Sequence, residues 1–186
     1  GRVDALNWDN LNDGLGNPKN VKSMLYAHRT PPVMITGIRP NAETAVSAGM
    51  KYIQFNVLDD ESLTALNEYI KSLSPIDSPY LNRDGTYTDA ALAGKKLFES
   101  EGCITCHYGP NFTDMKLHTS ASDHTYNTNW ESRDFDTPTL VEVWNTAPYF
   151  ASGQYKTLKE AVVASLKDPS KLSDEQINNL TAYIGS

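Results

Sequence analysis

The sequence predicts an all-α protein, mostly helical with long loops and made of two repeated units. Three observations predict it. Apolar residues recur at helical spacing behind capping residues, two long segments can be laid over one another, and the intervening stretch is polar with no apolar period.

In chain order, Pro40 to Ala48 reads as a short helix, and Leu58 to Ser72 carries the pattern of the chain's last helix. Ser74 to Asp84 (SPIDSPYLNRD) is rich in Pro, Ser and Asp and marks a boundary, with the linker taken as residues 74–87. Thr88 caps a helix reaching Glu101, in which Ala91, Leu92, Leu97 and Phe98 form an apolar stripe and which Gly102 ends. Residues 108–135 read as a polar loop. Leu158 to Leu166 is a second short helix. Ser173 then caps the last helix with Gln176 in the capping-box position, and Ile177, Leu180 and Ile184 line one face. The helix ending before Cys103 is its expected partner, Gly94 permitting close approach and Phe98 packing against Tyr183, with Trp144 in the same core.

The repeat runs from Asn20 to Ser72 and from Asp136 to Ser186. Thr30 pairs with Thr146, Pro32 with Pro148, Gly37 with Gly153, Ala45 with Ala161 and Val46 with Val162. After a small length change, Leu66, Tyr69 and Ile70 pair with Leu180, Tyr183 and Ile184. Duplication explains such a match. The expected organisation is an incomplete first unit over residues 1–73, the linker 74–87, and a second unit over 88–186.

At 186 residues and 39% hydrophobic, the chain can bury one substantial core or two small ones. Its 23 acidic against 16 basic residues leave a net charge of −7, and no dense Lys/Arg run is present, so nucleic acid is not an expected partner. No apolar stretch approaches the length of a membrane span.

The chemistry concentrates in Cys103, Cys106 and His107, read as Cys-Ile-Thr-Cys-His, which use both cysteines of the chain. This is the attachment signature of a c-type haem: each thiol can add to a porphyrin vinyl group, and His107 can reach the iron as proximal ligand. One covalent haem c is expected. A thioredoxin-like site would place its thiols at the start of a helix after a strand, whereas these follow a helix end. A zinc-stabilised interaction domain is the other alternative, using Cys103, Cys106, His118 and His124, but it leaves His107 without a role. Haem attachment of this kind belongs outside the bacterial inner membrane, so a periplasmic or cell-surface location is expected. The first unit contains no cysteine, and Gly1-Arg2-Val3-Asp4 reads as a cut end. The first unit's own haem motif is therefore expected before Gly1.

With motif and repeat in place, the chain resembles the bacterial di-haem cytochrome c peroxidase superfamily, which includes the enzyme that matures the tryptophan-derived quinone of methylamine dehydrogenase. GCITCHYGPNFTD (Gly102 to Asp114), DTPTLVEVWNTAPYFASG (Asp136 to Gly153), TLKEAV (Thr157 to Val162) and the following LSDEQINNLTAYI carry the resemblance. It is strong over residues 88–186 and weak over 17–73. It implies cytochrome c-like units, with electrons passing from a small redox donor protein or another cytochrome to the second-unit haem. They would go on to a first-unit peroxidatic haem that reduces hydrogen peroxide in the full-length protein. The chain would then be part of a peroxidase-like oxidoreductase, with pairing as a homodimer also open. A non-catalytic electron-carrier or surface cytochrome module is the alternative from another class.

The chain departs from that pattern at Ser165, where the resemblance implies a distal Met ligand. The substitutes are Met115, His118 or His124, with Tyr155 and Lys167 behind them, and a five-coordinate or water-bound iron is the equal alternative. Glu43 matches a catalytic glutamate of the family's first domain, and Arg39 is placed to serve a propionate.

Overall fold

A computed structural model of the chain describes residues 3–10, 18–119 and 134–186. The first unit holds a short ribbon of β1 (Asn7–Trp8) and β2 (Lys19–Asn20), then α1 (Ala42–Ala48), a π-helical turn (Gly49–Ile53) and α2 (Asp60–Lys71). The second holds α3 (Asp89–Ser100), a ribbon of β3 (Leu117–Thr119) and β4 (Asp134–Asp136), α4 (Leu158–Ser165) and α5 (Asp174–Gly185). The helices lie where their caps and apolar stripes place them. Asn41, Asp59 and Thr88 accept from the N–H groups of Thr44, Ser62 and Ala91, while Thr157 with Glu160 and Ser173 with Gln176 form complete capping boxes. The ribbons are the departure from an all-helical reading. Each is two or three residues long, too short to show an alternating pattern in sequence.

The main core lies in the second unit, where Phe98, Tyr149, Leu158, Ala161, Val162 and Leu180 are buried together. Gly94 meets the backbone of α5 at Asn179, and the Phe98 and Tyr183 rings stand edge to face with centroids 5.2 Å apart. The segment after α2 packs onto this unit as well: the Ile76 N–H donates to Glu142 Oε2 at 3.0 Å, and Tyr80 lies against Gly185.

The repeat recurs in three dimensions at the level of single bonds. Val33 bridges to Arg39 as Tyr149 bridges to Tyr155, and the peptides before Pro32 and Pro148 are both cis. Tyr26, Met34 and Gly37 have positive φ, as do their counterparts Glu142, Phe150 and Gly153. It also extends beyond the stretch in which side chains match. Asp4 to Trp8 follows the same path as Asp114 to His118: Ala5 and Met115 share positive φ, and each Asp accepts from the N–H two residues on at 3.0 Å. The side chain four residues on also meets that Asp, Trp8 Nε1 at 2.8 Å and His118 Nε2 at 2.7 Å.

The units clasp each other by reciprocal contacts, which is the mark of a pseudo-two-fold axis. The Asn20 N–H donates to the Ala151 carbonyl at 2.7 Å, and its counterpart Asp136 donates to Ile35 at 2.9 Å. Gly37 packs on Leu117 as Gly153 packs on Asn7. Lys22 adds an asymmetric ion pair to Asp136.

One difference between the units matters for function. In the second, α3 fills the space beside α5, while among the described residues the first has no counterpart of α3. Its matching space is an apolar cavity of about 500 Å³ bordered by Leu25, Met34, Val46, Met50, Leu66 and Ile70.

Candidate haem site

The site is built at the end of α3. Gly102 takes φ +81°, a left-handed conformation that ends the helix, and the chain enters a tight turn over Cys103–Thr105. Thr105 Oγ1 donates to the Gly102 carbonyl at 2.7 Å, and the His107 N–H donates to the Cys103 carbonyl at 3.0 Å. The two sulfurs are not joined in a disulfide. Cys103 packs against the core beside Phe98, and burial pushes its thiol above the ordinary range. A thiol raised in this way is a poor thiolate for disulfide exchange, which speaks against the thioredoxin-like alternative.

His107 is set up as a metal ligand. Its Nδ1 lies 3.0 Å from the Phe112 carbonyl, which can only accept, so Nδ1 carries the proton and Nε2 keeps its lone pair. Burial depresses the pKa of the ring and favours the neutral form that a metal requires. Two thiols on one turn, one against the apolar core, and a neutral imidazole oriented by the Phe112 carbonyl fit a covalently held haem in donor type and order.

The other sequence-predicted residues fall in three places. Met115 and His118 lie on the segment that follows the motif, 43% exposed and exposed on β3 respectively. His118 is engaged with Asp114. His124 lies outside the described residues. Ser165 donates its hydroxyl to the Ala161 carbonyl at 2.9 Å, and Tyr155 packs edge to face on Phe150. In the first unit, Arg39 borders the cavity. Glu43 meets His28 Nδ1 at 3.0 Å and Lys71 at 3.7 Å. A hydrogen bond from backbone N–H at the start of α1, then the His28 contact, holds its carboxyl below the usual range.

Two residues escaped sequence reasoning. The His28 side chain is 8% exposed with Nε2 buried. The Asp114 side chain, 5% exposed, gathers His118, Thr137 and the Lys116 N–H. Burial works to raise its pKa, but those hydrogen bonds together hold it low. The shared Asp4 and Asp114 were the available signal.

A helix-terminated Cys-x-x-Cys-His turn, with an oriented histidine and a helix pair packed beside it, defines a c-type haem protein. The chain belongs to the cytochrome c family, whose model matches residues 91–186. It is similar to the hydrazine synthase γ subunit of Kuenenia stuttgartiensis, with 25% identity over 99% of this chain and 68% of that one. It is also similar to the cytochrome c551 peroxidase of Pseudomonas aeruginosa, with 26% identity over 96% of this chain and 59% of that one. The chain thus spans about two thirds of the first relative and less than two thirds of the second, and the resemblance to di-haem peroxidases read from its motifs holds. Among solved structures, that of Kuenenia stuttgartiensis hydrazine synthase superposes with a TM-score of 0.82 at 22% identity, covering 100% of this chain and 77% of that one. A MauG-like protein associated with microbial copper homeostasis gives 0.65 at 14% identity, covering 91% and 73%. No helix among the described residues is long and apolar enough to cross a membrane.

Proposed function

We propose that the chain is the electron-transfer part of a two-haem, peroxidase-like oxidoreductase working in the periplasm or at the cell surface. One haem c would be held by Cys103 and Cys106 and ligated by His107. When bound, that haem supplies one-electron exchange with a small redox donor protein or another cytochrome. The chain's own residues do the positioning. Phe112 holds the His107 tautomer, Gly102 aims the turn, and the Phe98 and Tyr183 pair anchors it to α5.

The observation that carries the two-haem reading is the first-unit cavity. It occupies the place where the second unit seats the helix leading into its Cys-x-x-Cys-His motif, and the post-motif path of Asp114 to His118 is already present as Asp4 to Trp8. A segment preceding Gly1 that brings a helix and a second haem motif would complete the first unit. Peroxide reduction would then be a task of the first unit, with Glu43 moving a proton between the two oxygens. In this structure its carboxylate is tied to His28 and Lys71, so that role requires the side chain to turn.

The test is the intact mass and spectrum of the full-length gene product matured in the periplasm. Two covalent haems in that product, one in residues 1–186, and peroxide-dependent oxidation of a reduced small cytochrome are expected. One haem in total with no peroxide turnover would leave a simple electron carrier. The whole-chain likeness to a hydrazine synthase subunit supports a second reading, a subunit of a larger assembly. Native mass in the source extract separates that from a monomer or homodimer.

A further inference from the structure

The rings beside the haem motif form a column that leaves the core and reaches the surface. The Phe112 carbonyl accepts a hydrogen bond from His107, and the Phe112 ring stands edge to face with Phe98, centroids 6.5 Å apart. Cys103 packs against the same core. Phe98 stands edge to face with Tyr183 at 5.2 Å, and Tyr183 meets Tyr87 at 5.8 Å with the rings tilted by 52°. Tyr87 directly precedes α3 and is 40% exposed. Packing accounts for the inner rings, but the two phenols at the outer end add a chemistry that phenylalanine lacks. A phenol can give up an electron when its O–H proton leaves with it. The two differ in where that proton can go. Tyr183 is half-buried, and burial, then its neighbour Tyr87, pushes its pKa up, whereas Tyr87 opens to water.

We propose that Tyr183, Phe98 and Phe112 form an electron path from Tyr87 to the haem held at Cys103, Cys106 and His107, and that Tyr87 is its redox-active end. Hydrogen peroxide is the oxidant. It takes two electrons and two protons as its O–O bond breaks to give two waters, whereas one reduced haem yields a single electron on passing from ferrous to ferric iron. Tyr87 supplies the second electron through Tyr183. Its O–H bond breaks and releases a proton to solvent, and solvent returns the two protons that the waters require. A neutral tyrosyl radical remains on an exposed ring, away from the porphyrin. In a two-haem protein the other haem can give that second electron, so the path serves when that haem has none to give. It rests on the haem assignment of the second unit and not on peroxide turnover at the first.

The test uses the full chain matured with its haem, reduced, then given an equimolar amount of hydrogen peroxide with a nitroso spin trap, the adducts being located by peptide mass. Tyr87 is expected to carry the adduct. Tyr183→Phe, which removes only the hydroxyl, should lower it to the level at Tyr52 and Tyr69, phenols of the first unit that are 50% and 54% exposed. Tyr69 is also the counterpart of Tyr183 in the repeat. Parent and variant should match in haem content and spectrum. No adduct at Tyr87, an adduct there that survives Tyr183→Phe, equal adducts at Tyr52 and Tyr69, or an adduct at Trp144 in its place would each overturn the proposal. A chain that takes up no haem is recognised beforehand by its mass, and that result overturns the haem assignment and the path with it.

Discussion

Gly94 of α3 lies so close to α5 that a Cβ on it would fall 1.9 Å from the carbonyl oxygen of Asn179. Helix backbones in direct contact leave no room for adjustment, because the obstructing atoms are main chain. Gly94→Ala is therefore expected to push α3 off α5 and to destabilise the haem-loaded protein by about 1–3 kcal/mol, the usual cost of overpacking. Denaturant unfolding followed through the Soret band measures this. An unchanged midpoint would mean that the two helices are not held in this register.

Replacing Lys22 with Met removes the countercharge from Asp136, whose side chain is 3% exposed. Burial raises the pKa of Asp136, and Lys22 opposes that rise. The variant should lose about 1–3 kcal/mol at neutral pH, the cost of leaving a buried polar group unpaired. The sign with pH follows from the raised pKa. Folding favours the protonated carboxyl, so the stabilisation from Asp136 itself is fully present below the unfolded value of 3.8 and is lost as pH rises through the folded pKa, whereas the Lys22 attraction acts only on the ionised carboxylate and disappears on acidification. The gap between variant and parent should narrow on acidification, and Lys22→Met with Asp136→Asn should recover most of the loss.

Tyr149 donates its hydroxyl to the Val143 carbonyl at 3.0 Å, and burial pushes its pKa from 10.0 up to about 12. Its counterpart in the first unit is Val33. Tyr149→Phe should cost about 1 kcal/mol at neutral pH. With the folded pKa above the unfolded one, the phenol's contribution is present below pH 10.0 and lost toward about 12. The difference in stability between parent and variant should shrink across that window, as alkaline denaturation series will show.

At the site itself, Cys106→Ser should leave haem held by a single thioether and partly lost in denaturing extraction, while His107→Ala should retain covalent haem and alter the axial spectrum. Haem content and spectrum of protein matured in the periplasm decide it. No change in either variant would remove these residues from the site.

The second unit was largely legible because its signals are local. Capping residues announce helix starts through hydrogen bonds within one turn, and Cys103, Cys106 and His107 carry their chemistry in five consecutive positions. The first unit was legible only where side chains match. Asp4 to Trp8 escaped notice because it shares with Asp114 to His118 a backbone path and one Asp, while its remaining side chains differ. Backbone hydrogen bonds and positive φ at Ala5 and Met115 leave little trace in residue identity.

The sequence by itself determined the helices, the haem motif, the repeat and the helix-on-helix packing at Gly94 and Phe98, because each depends on neighbours in the chain or on a fixed periodicity. Only the tertiary structure decided how the units meet, which thiol faces the core, and where the cavity lies. Those features depend on contacts between residues far apart in the chain, such as Asn20 with Ala151, Lys22 with Asp136 and Tyr87 with Tyr183. Their geometry is set by the pseudo-two-fold docking of one unit against the other and by the seating of loops on helices, which no local pattern encodes.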